Sequence, residues 1–129
     1  MDISDLQLRV QRWVYSTLGH ESLHNGKERA LRLSEEALEL AQALEVPAET
    51  LHKLVDYVYS RPVGEVAQEL GGCAVTLLAA STAAGVNLAE ALTTELDRIE
   101  TPEVRERVRL RQAEKREALM TDEGNPEAL

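Results

Sequence analysis

The segment between Pro62 and Gly85 constrains the fold most strongly, because it has helical character and carries apolar side chains on nearly every face. At 100° per residue, its apolar side chains surround nearly the whole circumference of a helix. These side chains are Val66, Leu70, Cys73, Ala74, Val75, Leu77 and Leu78. A helix that is apolar on all sides is normally buried. Its many Gly, Ala and Ser residues would also let another helix, or a ligand, come close to its backbone.

The rest of the chain has the pattern of an all-α protein. Ala, Leu, Glu and Arg dominate, and aromatic residues make up only 3% of the 129 residues, a composition that favours helices over strands. We predict a single helical-bundle domain over residues 1–120 and a disordered tail over residues 121–129. The expected helices cover residues 4–18, 27–45, a shorter stretch after Pro47, 62–85, 88–99 and 102–120. Ser4 and Asn87 are the expected N-caps. Gly19 is expected to end the first helix, and a polar loop is expected over residues 20–26.

Charge and cysteine content exclude several classes of protein. The chain carries 14 Lys and Arg against 23 Asp and Glu, a net charge of −9, which repels nucleic acid. Its single cysteine excludes a disulfide framework and a Cys-rich zinc site, and is typical of a reducing cytoplasm. Acidic residues follow Met1 directly, so we expect no signal peptide. Gly, Ser, Thr and Asn dilute the apolar stretch 70–96, so we expect no membrane span.

The second predicted helix carries a concentration of charge between two apolar faces. One apolar face has Ala30, Leu33, Ala37, Leu40, Ala41 and Leu44, and another has Leu31 and Leu38. A helix with two such faces is typical of a central helix or a subunit interface. The charged wedge between them holds Arg29, Arg32, Glu36 and Glu39, with Glu35 beside it. The simpler interpretation is a solvated face in which Arg32 pairs with glutamates three and four residues away.

A second acidic patch lies on the apolar helix itself. Glu65 and Glu69 are one turn apart, on the face that also holds Gly72 and Thr76. Glu65 alone could complement the dipole of the helix N-terminus, but Glu69 lies one turn further in. Carboxylates on two largely apolar helices favour a shared cluster, and oxygen ligands without Cys or His are suited to Mg²⁺ or Mn²⁺. Arg29 and Arg32 would then meet the phosphate oxygens of a substrate.

These residues resemble the MazG-like all-α nucleoside triphosphate pyrophosphohydrolases. Glu35-Glu36-Ala37-Leu38-Glu39 matches the EExxE motif of that family, and Glu69-Leu70-Gly71-Gly72 stands where the family has ExxD. The residues 28–34 are similar to the approach to the first motif, and the resemblance extends over residues 6–115. It implies an oligomeric helical bundle, a homodimer or homotetramer, that cleaves a nucleoside triphosphate into the monophosphate and pyrophosphate to clear or sanitise nucleotides.

The resemblance also implies a role for each acidic residue. Glu36, Glu39 and Glu69 would hold Mg²⁺, and Glu35 would position or deprotonate the attacking water. Gly72 stands where the family has the aspartate of ExxD, so one ligand is missing. Either Glu65 supplies that carboxylate, or the site binds fewer metals, or activity has been lost. We favour compensation by Glu65.

Three other positions are candidate substrate contacts. Trp13 could stack on a base, although a lone Trp among Leu6, Val10 and Val14 is more often a core residue. Arg111 and Lys115 belong, with Arg109, to a basic stripe on the last helix. The resemblance implies that such a segment reaches the phosphates, whereas the simpler interpretation is pairing with Glu106 and Glu114 on the same helix. The alternatives to the proposed hydrolase are a helical oligomerisation module that has lost its site, and an enzyme similar to phosphoribosyl-ATP pyrophosphohydrolase.

Overall fold

The computed structural model describes residues 2–120, and this part of the chain is all-helical, with no strand. The predicted tail, residues 121–129, lies outside the described residues. Seven α-helices and a short π-helix follow one another. They are α1 (Ile3–Leu18), α2 (His20–His24), α3 (Gly26–Ala43), α4 (Ala48–Tyr59), α5 (Val66–Ala83), α6 (Leu88–Ile99), α7 (Pro102–Lys115) and the π-helix (Arg116–Met120).

The described residues form two compact units. The terminal unit comprises residues 2–34 and 94–120, and the central unit comprises residues 35–93. Helices α3 and α6 each contribute residues to both units.

The terminal unit has a small core built on α1. Val14, Leu96 and Val104 are its buried apolar side chains, and Leu96 is only 1% exposed. Long-range hydrogen bonds tie α1 to the later helices: the Trp13 indole N–H donates to the Ile99 carbonyl at 2.8 Å, and the Arg109 guanidinium donates to the Thr17 carbonyl at 3.1 Å. The terminal unit therefore combines apolar packing with polar cross-links between distant parts of the chain.

The central unit has no core of its own. None of residues 35–93 is buried, although this segment contains α4 and the apolar helix α5. In α5, Val66 is 76% exposed and Val75 is 66% exposed. The predicted apolar circumference of α5 is thus present, but one chain alone leaves it uncovered.

Several helix boundaries differ from the sequence prediction. The N-cap of α1 is Asp2, in a capping box with Asp5, so the prediction of Ser4 was wrong; two carboxylates there satisfy two free backbone N–H groups at once. The predicted loop over residues 20–26 contains α2. Helix α5 begins at Val66, not at Pro62, since a helix start at Pro62 would place Gly64, a weak helix former, in its first turn.

Other helix ends were predicted correctly. Gly19 is the C-cap of α1, with a backbone φ of 94° that glycine adopts without strain. The Asn87 side chain accepts a hydrogen bond from the Glu90 backbone N–H at 3.0 Å, which caps α6. Pro102 occupies the first position of α7 after Thr101, where its missing N–H leaves no hydrogen bond unmade.

Candidate functional site

The predicted catalytic and metal-binding glutamates of the first motif all lie on α3. Glu36 and Glu39 are exposed and one turn apart, and Glu35 is half-buried. Glu35, Glu36 and Arg32 are each engaged in at least one noncovalent interaction. The helix therefore presents two carboxylates in register, preceded by Arg32 and, two turns before Glu36, by Arg29.

The second acidic patch lies at the start of α5. Glu65 is the N-cap residue, but its side chain makes no capping hydrogen bond. Glu69 is exposed in the first turn, and its carboxylate folds back against Gly64, so a side chain at position 64 would collide with it. One turn further on, the Thr76 hydroxyl donates to the Gly72 carbonyl at 2.9 Å. A Cβ atom at Gly72 would meet open space.

One chain does not gather these carboxylates into a metal site. Within residues 2–120, no group of three or more His, Cys, Asp or Glu side chains is placed to hold a cation. The donor set on α3 and α5 has the chemistry that Mg²⁺ prefers, but its arrangement in a single chain does not fit a bound ion. The chain thus has four candidate carboxylate ligands that share no coordination sphere, namely Glu36, Glu39, Glu65 and Glu69.

Arg29 is the most unusual cation of the predicted site. Its Nε and Nη2 atoms are buried and have no hydrogen-bond partner within residues 2–120. The nearest charge is the Glu28 carboxylate, 3.8 Å from Nη2. Burial lowers the pKa of Arg29, and the charges of Arg32 and Arg116 lower it further, against the opposing effect of Glu28. Among the described residues, the Nε and Nη2 groups of Arg29 thus have no hydrogen-bond acceptor, and the Glu28 carboxylate is the ion-pair partner of Nη2.

Beside Arg29, the buried carboxylate of Glu28 organises the terminal unit. Glu28 is 2% exposed, yet it accepts hydrogen bonds from the Asn25 amide at 2.9 Å and from the Gln112 amide of α7. The Arg116 guanidinium donates to both carboxylate oxygens, at 3.0 and 2.8 Å. These bonds raise the pKa of Arg116 and join the N-terminus of α3 to the end of α7.

The sequence analysis missed the role of Glu28, although one local signal was present. Asn25 accepts from the Glu28 backbone N–H at 3.1 Å while its own amide donates to the Glu28 side chain. An Asn three residues before a Glu is a pattern typical of a helix N-terminus. No comparable local pattern identifies Gln112 and Arg116, because their contact with Glu28 spans more than eighty residues.

The remaining predicted substrate contacts all lie in the terminal unit. Trp13 is half-buried, and its indole N–H is used by the Ile99 carbonyl. Arg111 is exposed, and Lys115 is half-buried and engaged in at least one noncovalent interaction. In the same stripe, Arg109 donates to Glu106 at 2.9 Å, which is the pairing expected of a solvated helix.

Comparison with known proteins adds no family to these observations. The sequence matches no family model and no curated protein, and the structure matches no solved structure. Among residues 2–120, no single helix has both the length and the hydropathy to cross a bilayer; α5 and α6 meet that criterion only when taken together as a bent pair.

Proposed function

We propose that this protein is a Mg²⁺-dependent nucleoside triphosphate pyrophosphohydrolase similar to the MazG-like enzymes. Its reaction would cleave the bond between the α and β phosphates with water, releasing a nucleoside monophosphate and pyrophosphate. The motif residues Glu35, Glu36 and Glu39 on α3, and Glu69 on α5, support this proposal. Mn²⁺ would be an alternative cofactor, since it accepts the same oxygen ligands.

The observation that carries the proposal is that the Nε and Nη2 donors of Arg29 make no hydrogen bond within residues 2–120, although Nη2 lies 3.8 Å from the Glu28 carboxylate. A buried donor without an acceptor costs about 1–3 kcal/mol, and a phosphate oxygen would remove that cost. Arg29 lies on the same helix as the three glutamates of the first motif. Arg29 and Arg32 would thus neutralise the negative charge of a triphosphate held next to the glutamates of the first motif.

A helical module that has lost its catalytic site is the second candidate. Two observations favour it: Gly72 replaces the expected aspartate, and no three carboxylates gather within residues 2–120 of one chain. Such a protein would keep the fold but bind neither Mg²⁺ nor a triphosphate.

A pyrophosphate-release screen over canonical and modified nucleoside triphosphates with Mg²⁺ tests the proposed reaction. We expect pyrophosphate from at least one substrate and its loss in the Glu36→Gln protein. Glu49→Gln is the matched control, because Glu49 is 81% exposed and engages only Lys53, at 3.4 Å, among its ion pairs within the described residues. No pyrophosphate from any substrate, or orthophosphate as the product, would overturn the proposal.

The missing aspartate allows a sharper test of Glu65. We expect Glu65→Gln to weaken Mn²⁺ binding about tenfold or more, as loss of one carboxylate ligand should. Adding Gly72→Asp to that variant should restore binding, because a side chain at position 72 meets open space. Gly71→Asp is the control, since position 71 is equally open but lies 100° around the helix. Unchanged Mn²⁺ affinity in Glu65→Gln would show that Glu65 is not a ligand.

A further inference from the structure

We infer that the side chains of His20 and His24 form a binding site for Zn²⁺ or a similar divalent transition-metal ion. This site does not depend on the proposed function, because it lies on α2 and uses imidazole nitrogens rather than carboxylates. Imidazole is a good ligand for Zn²⁺, Ni²⁺ and Cu²⁺, whereas Mg²⁺ prefers oxygen ligands. The two histidines therefore differ in chemistry from the glutamates on α3 and α5.

The geometry of the histidine pair fits two ligands of one ion. His20 and His24 are four residues apart on α2, and both are exposed. Residues at this spacing lie one above the other on the same face of a helix. Their ring centroids are 4.6 Å apart. An ion bound about 2.1 Å from one nitrogen of each ring holds the centroids about 4.5–5.2 Å apart, for coordination angles of about 90–110°. Both rings can therefore bind one ion through side-chain rotation alone.

Contacts on the opposite face of α2 hold this helix in place. Ser22, between the two histidines, is 2% exposed. Its hydroxyl donates to the Glu28 carboxylate at 3.4 Å and accepts from the Arg116 guanidinium at 2.8 Å. The Tyr15 ring of α1 lies edge-on to the His20 ring, with 6.5 Å between their centroids. The backbone that carries the pair is thus fixed before an ion binds, which lowers the entropic cost of binding.

The charge of the chain also favours a cation at this exposed position. The net charge of −9 attracts cations to the protein surface. Within residues 2–120, no third His, Cys, Asp or Glu side chain joins the two imidazoles in a metal-binding group. Water would therefore complete the coordination of the ion, as it does at zinc sites that keep an open position.

A bound ion would stabilise α2. This helix has five residues and no N-terminal side-chain cap, and a helix of that length is unstable in water without other contacts. His20 and His24 are its first and last residues, so one ion bound to both would tie its two ends together. Because the ion would bind the folded helix, Zn²⁺ should raise the melting temperature of the terminal unit. Trp13, the only tryptophan of the chain, reports that transition by its fluorescence.

Calorimetric titration of the full chain with Zn²⁺ tests this inference. We expect one Zn²⁺ ion per chain whose affinity falls about tenfold or more in His20→Ala and in His24→Ala, since each variant removes one of two ligands. His52→Ala is the matched control, because His52 is the remaining histidine, is exposed and lies on α4. We expect the control to keep the wild-type affinity and the Zn²⁺-dependent rise in melting temperature.

Modification of the wild-type histidines by diethyl pyrocarbonate keeps the test decisive if a variant loses α2. Zn²⁺ should protect His20 and His24 from the reagent and leave His52 reactive, as measured by peptide mass spectrometry. A wild-type chain that binds no Zn²⁺ would overturn the inference, and so would equal protection of all three histidines or of none. Binding that survives in both α2 variants but falls in Glu36→Gln would assign the ion to the carboxylates of α3 instead.

Discussion

The terminal and central units of this chain bury their surfaces in opposite ways. The terminal unit closes its own core over Val14, Leu96 and Val104 and cross-links it with long-range hydrogen bonds. The central unit, which has the most apolar helix of the described residues, has no buried residue. The hydrophobicity of the side chains thus indicates which surfaces favour burial, but it does not indicate whether the same chain buries them.

The two units also differ in which kinds of side chain they bury and expose. Glu28, a carboxylate, is 2% exposed in the terminal unit, whereas Val63 in the central unit is fully exposed. Glu28 is tolerated because four side chains, from Ser22, Asn25, Gln112 and Arg116, donate hydrogen bonds to it. A buried charge with this many partners is compatible with a stable core. The terminal unit is therefore specified by polar contacts as much as by its few apolar ones.

Hydrogen exchange should separate the two units by their response to dilution, and this is the largest effect we expect. In the homodimer or homotetramer that the resemblance implies, amides of α4 and α5 should lose protection by about tenfold or more when dilution separates the chains, because one chain alone leaves these helices without a buried residue. Amides in the middle of α1 and α7 should change little, since intrachain contacts protect them. Exchange resolved by peptide and mass spectrometry at two concentrations provides the measurement.

Equal responses of α1 and α5 to dilution would contradict this comparison. Loss of protection in both would mean that the terminal unit also depends on the partner. Constant protection in both would mean that each unit is stable within a single chain.

Removal of the buried carboxylate should destabilise the terminal unit next most strongly. Glu28→Ala leaves the donors of Asn25 and Gln112 without their acceptor in the interior, and we expect a loss of about 3 kcal/mol in unfolding free energy. Denaturant unfolding followed by Trp13 fluorescence measures it. Glu106→Ala is the control: Glu106 also pairs with an arginine, at 2.9 Å, but is 58% exposed, so we expect a change of at most about 0.5 kcal/mol. Similar losses in the two variants would refute the structural role of Glu28.

The fold class and most helices were predictable because their signals are local. The all-α class follows from composition, Asn87 and Pro102 mark their helix starts through backbone chemistry, and Gly19 marks a stop. The start of α5 was predicted wrongly because Pro62 is acceptable at a helix start but does not require one. The short helix α2 has no N-terminal side-chain cap and is only five residues long, so neither capping nor periodicity could reveal it.

The candidate site was predictable only as positions on helices. Periodicity placed Glu36 and Glu39 on one face of α3, and the structure has them there. It could not place α5 relative to α3, because that depends on tertiary contacts. The same limit applies to Glu28 and Arg29: the pattern placed both on a helix, but a hydrogen bond to Glu28 and a charge that lowers the pKa of Arg29 come from Arg116 in the π-helix, far along the chain.

A surface ion pair of the terminal unit provides the smallest expected effect, a loss of stability in acid. The Arg9 guanidinium donates to both Glu100 oxygens, at 3.0 and 2.5 Å, and this lowers the pKa of Glu100 below its ordinary value. A carboxyl whose pKa is lower in the folded state stabilises the fold above its unfolded pKa, and the contribution disappears as the pH falls through the folded pKa.

We therefore expect Glu100→Gln to lower the melting temperature of the terminal unit at pH 7 but not in strong acid, by less than Glu28→Ala does. Asp97→Asn, at a carboxylate that is 71% exposed and accepts one bond from Arg9, should change it less still. A Glu100→Gln effect that is the same at both pH values would instead indicate that packing, not charge, ties α1 to the end of α6.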